Sequence, residues 1–104
     1  MYETIPANKL EVIADIQFRS ALNLKKTGHY SDAFNMFEDV AQKYHSLAKK
    51  TESTGDMLDY LSAERECYRN MLVDAWGNLG KWSKIMLRIK DITDEIEDIT
   101  NRWA

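Results

Sequence analysis

Few side chains in this sequence have the chemistry for catalysis or metal binding. There are two histidines, His29 and His45, and one cysteine, Cys67. An imidazole titrates near neutrality and can serve as acid, base or nucleophile. His45 stands in Tyr44-His45-Ser46-Leu47, at the border of an apolar stripe, where an ordinary hydrogen bond accounts for it. His29 falls in a turn. Glu64 lies on an apolar seam, three residues after Leu61 and four before Tyr68. A carboxylate there is costly unless paired or hydrogen-bonded. Either its side chain reaches the edge to meet an Arg or Lys, or it makes a buried polar contact that fixes helix register. Acid–base catalysis comes third, because no second carboxylate converges on Glu64 by helical spacing. The scattered His and Cys residues form no metal-ligand pattern, Glu-x-x-His is absent, and Glu64-x-x-Cys67 is not a known ligand set. Gly77-Asn78-Leu79-Gly80 lacks the Lys-Ser/Thr of a phosphate-binding loop. The expectation is a protein that is not an enzyme, with no catalytic, cofactor-binding or metal-binding residue.

Composition bounds what must position these groups. The chain has 104 residues, 44% hydrophobic and 30% charged, which suits one globular domain spanning 1-104. Its net charge of −3 comes from 14 basic and 17 acidic residues, with no basic stripe, so no nucleic-acid partner is expected. A lone cysteine forms no internal disulfide and suits a reducing, cytoplasmic setting. The opening Met1–Pro6 has no basic segment followed by an apolar run, so no secretory leader is expected. No apolar stretch approaches the length of a membrane span.

Apolar residues recur at spacings of three and four, the helical period, and no strand-like alternation is found. Helix 1 is predicted from about Pro6 to Thr27, closed by Gly28. Leu10, Ile13, Ala14, Ala21 and Leu24 form its core face, widened by Val12 and Ile16. Phe18 and Leu22 fall on the other side, among Glu11, Asp15 and Lys26. Helix 2 is predicted from an N-cap at Ser31 to Lys50, with Ala33, Met36, Phe37, Val40, Ala41, Tyr44, Leu47 and Ala48 as its stripe. Helix 3 is predicted from Asp56 to Gly77 or Leu79, with a seam of Met57, Leu61, Tyr68, Met71, Leu72, Ala75 and Leu79. Helix 4 is predicted from Lys81 to Trp103, with Ile85, Ile89, Ile92, Ile96, Ile99 and Trp103 in a heptad-like seam. Its charges run basic (Lys84, Arg88, Lys90) then acidic (Asp91, Asp94, Glu95, Glu97, Asp98), the reverse of what the helix dipole favours. The fold class is all-α: four long antiparallel helices, as an up-down bundle or two stacked helical hairpins, with more than three-quarters of the chain helical.

Ala21, Gly28, Tyr30, Ala33 and Phe37 reproduce the small–Gly–aromatic–small–aromatic spacing of a tetratricopeptide hairpin, and residues 17–44 resemble one. Gly80, Trp82, Ile85, Ile89 and Ile92 echo that spacing 52 residues on, whereas the tetratricopeptide period is about 34. The resemblance is therefore to the hairpin and not to a regular array. The first three helices also resemble microtubule-interacting-and-transport domains. Both families bind helical or extended peptides in grooves between helices, so both imply a binding module, with Ala21 and Ala33 at a tight helix crossing. A third likeness is to HEPN domains, whose ribonuclease members need an Arg shortly before a His; neither His29 nor His45 has one. His45 also resembles the exposed histidine of phosphotransfer bundles, although Ala48 and Lys49 replace the Lys and Gly usual after it.

The sequence thus points to a protein–protein interaction or adaptor module, with self-association as one form of it. The alternatives are a small phosphotransfer or HEPN-like bundle centred on His45, and a structural oligomer held by helix 4. The partner is a protein or a second copy. Phe18 and Leu22, one turn apart and rimmed by charge, are the expected partner-binding residues and a possible homodimer contact.

Overall fold

The computed structural model describes residues 5–75 and 78–103, with backbone alone for Asp74 and Trp103. Four helices follow in order: α1 (Ala7–Lys26), α2 (Tyr30–Lys50), α3 (Thr54–Asp74) and α4 (Leu79–Trp103). They are 20, 21, 21 and 25 residues long, so the chain is overwhelmingly helical. None of the described helices is long and apolar enough to cross a membrane.

Local chemistry fixes the ends. Pro6 precedes α1, and its carbonyl accepts the Lys9 and Leu10 amides. Gly28 closes α1 at φ +87°, a left-handed conformation that favours glycine. The His29 amide donates to the Leu24 carbonyl at 2.8 Å and the Gly28 amide to the Lys25 carbonyl at 3.2 Å. This pair of bonds is a Schellman closure. The expected cap at Ser31 is displaced: α2 already begins at Tyr30, and Ser31 lies inside its first turn. The cap of α3 is Ser53, whose Oγ accepts the Asp56 amide at 3.3 Å, so α3 starts two residues earlier than predicted. Asn78 Oδ1 accepts the Lys81 amide at 3.1 Å and starts α4, which takes Leu79 away from the α3 seam. The expected end of helix 3 at Gly77 lies outside the described residues.

Packing follows chain order, α1 on α2, α2 on α3 and α3 on α4, each pair antiparallel. Among the described residues α1 and α4 share no extensive interface. The helices form a stacked series and do not close into a ring. The main core joins Leu10, Ala14 and Ala21 of α1 to Ala33, Phe37, Val40, Ala41, Tyr44 and Leu47 of α2 and to Cys67, Met71 and Ala75 of α3. A second cluster joins Ala48, Leu61 and Ile92. Ala21 and Ala33 are both fully buried, as a close crossing of α1 and α2 requires.

Leu10, Ala14 and Ala21 of the expected α1 face are buried and Leu24 packs on the core, but the residues expected to flank that face differ from the prediction. Val12 and Ile16, expected to widen the core, are 57% and 58% exposed, and Ile13 is 38% exposed. Phe18, expected opposite the core, packs instead against it: its ring meets Phe37 edge-on, centroids 5.7 Å apart. Helical geometry explains the difference: at about 100° per residue Phe18 lies about 40° from Ala14, whereas Val12 and Ile16 lie about 160° from it. Asp15 accepts the Tyr44 hydroxyl, and Glu11 accepts the Tyr60 hydroxyl at 3.0 Å. Tyr44 and Tyr60 stack across α2 and α3 at 6.5 Å. These bonds tie the exposed acids of α1 to the two neighbouring helices.

Candidate functional site

Three helices converge on Glu64. Its side chain is fully buried in α3, a costly place for a carboxylate, and each oxygen is used once. Oε1 meets His45 Nδ1 of α2 at 3.2 Å, and Oε2 accepts from Arg88 Nη2 of α4 at 2.8 Å. Both partners keep about two-fifths of their side chains exposed. Arg88 also lies over the Tyr68 ring, 5.8 Å from its centroid. Glu64 therefore joins both readings made from sequence: it is buried, and it meets a cation at the edge.

Burial pushes the Glu64 carboxyl above its ordinary range, and the opposing pull of His45 and Arg88 does not cancel it. An ionised carboxylate can only accept, so in that contact Nδ1 of His45 is the donor. Cys67, one turn along α3, is buried; burial first, and Glu64 second, push its thiol up to about 12. It stays protonated, as a small apolar group would.

Two depressions flank Arg88. On one side is a groove of about 230 Å³ between α2, α3 and α4. Phe34, Tyr68, Met71 and Ile85 form its floor, Glu38 and Gln42 its α2 rim, and Lys81, Lys84 and Arg88 its α4 rim. Lys81 Nζ sits 4.9 Å from the Phe34 ring centroid. On the other side is a more polar recess of about 560 Å³, walled by His45 and Lys49 of α2, Met57 and Leu61 of α3, and Arg88 and Glu95 of α4.

Phe18 and Leu22 do not form a free ridge. Phe18 belongs to the α1–α2 interface, whereas Leu22 is 39% exposed and borders a shallow hollow with Arg19 and Lys26. His29 is exposed in its turn, with Nδ1 2.9 Å from Thr27 Oγ1. Among the described residues no three His, Cys, Asp or Glu side chains gather as a metal site would need. Sequence spacing brought neither His45 nor Arg88 to Glu64, because the three lie on different helices. The usable signal was a carboxylate on an apolar seam, which demands partners from the elements packed on it.

Comparison with known families, curated proteins and solved structures finds no match for this chain.

Proposed function

We propose that this chain is a protein–protein interaction module of helical-hairpin type, in a reducing, cytoplasmic setting, and that the groove between α2 and α4 receives a partner segment. The groove itself carries this reading. At about 230 Å³ it is smaller than the roughly 300–1,000 Å³ of small-molecule sites, and it is open, apolar at its floor and charged at both rims. Those are the proportions of a seat for one or two side chains of another protein. The tetratricopeptide-like spacing of Ala21, Gly28, Tyr30, Ala33 and Phe37 agrees with it. Self-association belongs to the same reading, through this groove and not through Phe18.

The test is photo-crosslinking from a benzoylphenylalanine at Gln42 on the rim, compared with one at the exposed Glu52, in cells that make the protein. A discrete adduct from position 42, weakened by Lys81→Glu with Lys84→Glu, is the expected result. Equal, diffuse labelling from both positions would end the reading. Mass spectrometry of the adduct separates a foreign partner from a second copy.

One observation favours a second reading, chemistry at His45: it pairs with a buried carboxylate and faces an open recess. On that reading Nε2 is a base or phosphoryl acceptor. Phosphoramidate should then phosphorylate His45 faster than His29; equal rates would remove it.

A further inference from the structure

The polar recess has an organisation that the peptide groove neither needs nor explains. Its cationic groups come from two helices. His45 and Lys49 stand one turn apart on α2, and Arg88 faces them from α4. Glu64 of α3 holds two of the three from beneath, engaging one nitrogen of His45 and one of Arg88. A guanidinium has five N–H donors and an imidazole two nitrogens. Most of Arg88's donors and the second nitrogen of His45 therefore remain for another acceptor. Because Glu64 and the Tyr68 ring restrain Arg88, a ligand meets groups whose rotamer entropy is already spent. Met57, Leu61 and Ala48 add an apolar wall beside these donors.

We propose that the recess binds a small organic oxyanion, its charged group held by His45, Lys49 and Arg88 and its apolar body laid against Met57 and Leu61. This goes beyond the peptide-binding reading and does not depend on it. Lys49 and Arg88 supply the fixed positive charge that an anion meets, and Glu95 of α4 also lines the recess.

Benzenesulfonate tests this, because its charge is constant from pH 5 to 8. Its binding is followed on the full chain through the imidazole signals of both histidines in a two-dimensional NMR titration at matched ionic strength. Sodium sulfate serves as the probe without an apolar body. The expected result is a saturable shift at His45 and little at His29, and tighter binding of benzenesulfonate than of sulfate. Lys49→Gln changes an exposed residue and leaves the Glu64 contacts intact. It should weaken binding roughly two- to fivefold, the worth of an exposed ion pair. Equal responses at His45 and His29, or unchanged affinity in Lys49→Gln, would overturn the proposal.

Discussion

The two halves of the chain are both helical hairpins, yet they are held by different physics. In the first, α1 and α2 meet through fully buried small residues, Ala14, Ala21, Ala33 and Ala41, with Phe37 between them and Phe18 edge-on to it. Their turn is closed by two backbone bonds at Gly28. In the second, α4 buries Ile85 and Ile92, packs Ile89, Ile96 and Ile99 partly against the same clusters, and adds polar links, Arg88 to Glu64 and Arg65 to Thr93 at 3.3 Å. Leu79, Trp82, Met86 and Leu87 stay substantially exposed. Close packing of small side chains excludes cavities. A helix held on one seam of isoleucines, with long polar side chains beside it, leaves openings on both sides. The groove and the recess that flank Arg88 both lie along α4, and a further hollow of about 280 Å³ opens where the start of α1 meets the end of α2 and the start of α3.

The largest effect should come from removing the centre of the first hairpin. Phe37→Ala should cost about 3–5 kcal/mol by denaturant titration, a fully buried aromatic being replaced by a cavity. A much smaller cost would show that the α1–α2 contact is looser than its burial indicates. Next in size is overpacking. Ala33→Leu adds three carbons at a crossing with no space for them and should cost about 1–3 kcal/mol. Ala48→Leu makes the same change where the side chain borders the recess. It should cost less than Ala33→Leu, and equal costs would remove the distinction between a packed hairpin and an open one. Third is local opening. Amide hydrogen exchange along α4 should be faster than along α2, because α4 loses fewer buried contacts when it detaches. Matching protection in both helices would mean that the hairpins unfold as one unit.

The helices were legible because their period and punctuation are strong. Gly28 announced the end of α1, and the stripe of α2 was read nearly residue for residue. The face of α1 followed helical spacing and not apolarity: Leu10, Ala14, Phe18 and Ala21 fall on one stripe, while Val12 and Ile16 lie across the helix from it. The Asp15 and Glu11 bonds to tyrosines on two other helices arise only from the tertiary arrangement. Cap competition hid the start of α2: Ser31 is a good cap by type, but the Schellman turn brings the chain into helix two residues earlier, with His29 in the cap position. Glu64 was visible as an anomaly, although its partners were not. Helical spacing relates residues on one helix, and His45, Glu64 and Arg88 meet only through the tertiary arrangement.

The subtlest expected effect concerns that carboxylate. Burial raises the Glu64 pKa above its ordinary 4.5 even with His45 and Arg88 beside it. A group whose pKa is higher in the folded than in the unfolded protein takes up a proton on folding. Its favourable contribution is complete below the unfolded value and is lost as pH rises through the folded one. Glu64→Gln keeps the shape, does not titrate, and can still accept from Arg88. The stability of the natural chain minus that of the variant should therefore fall as pH rises from 4.5 through the raised folded value. At neutral pH the variant should lie within about 1 kcal/mol of the natural chain or above it, because the two partners left behind are half exposed and can hydrate. Urea titrations of both proteins across this range measure the difference. A difference that grows with pH would mean that the two cations outweigh burial. Glu64 would then be an ordinary buried ion pair that holds α4 in place. A falling difference would show that the chain retains a charge it would be as stable without, which is expected of a residue that positions His45 and Arg88 for a ligand.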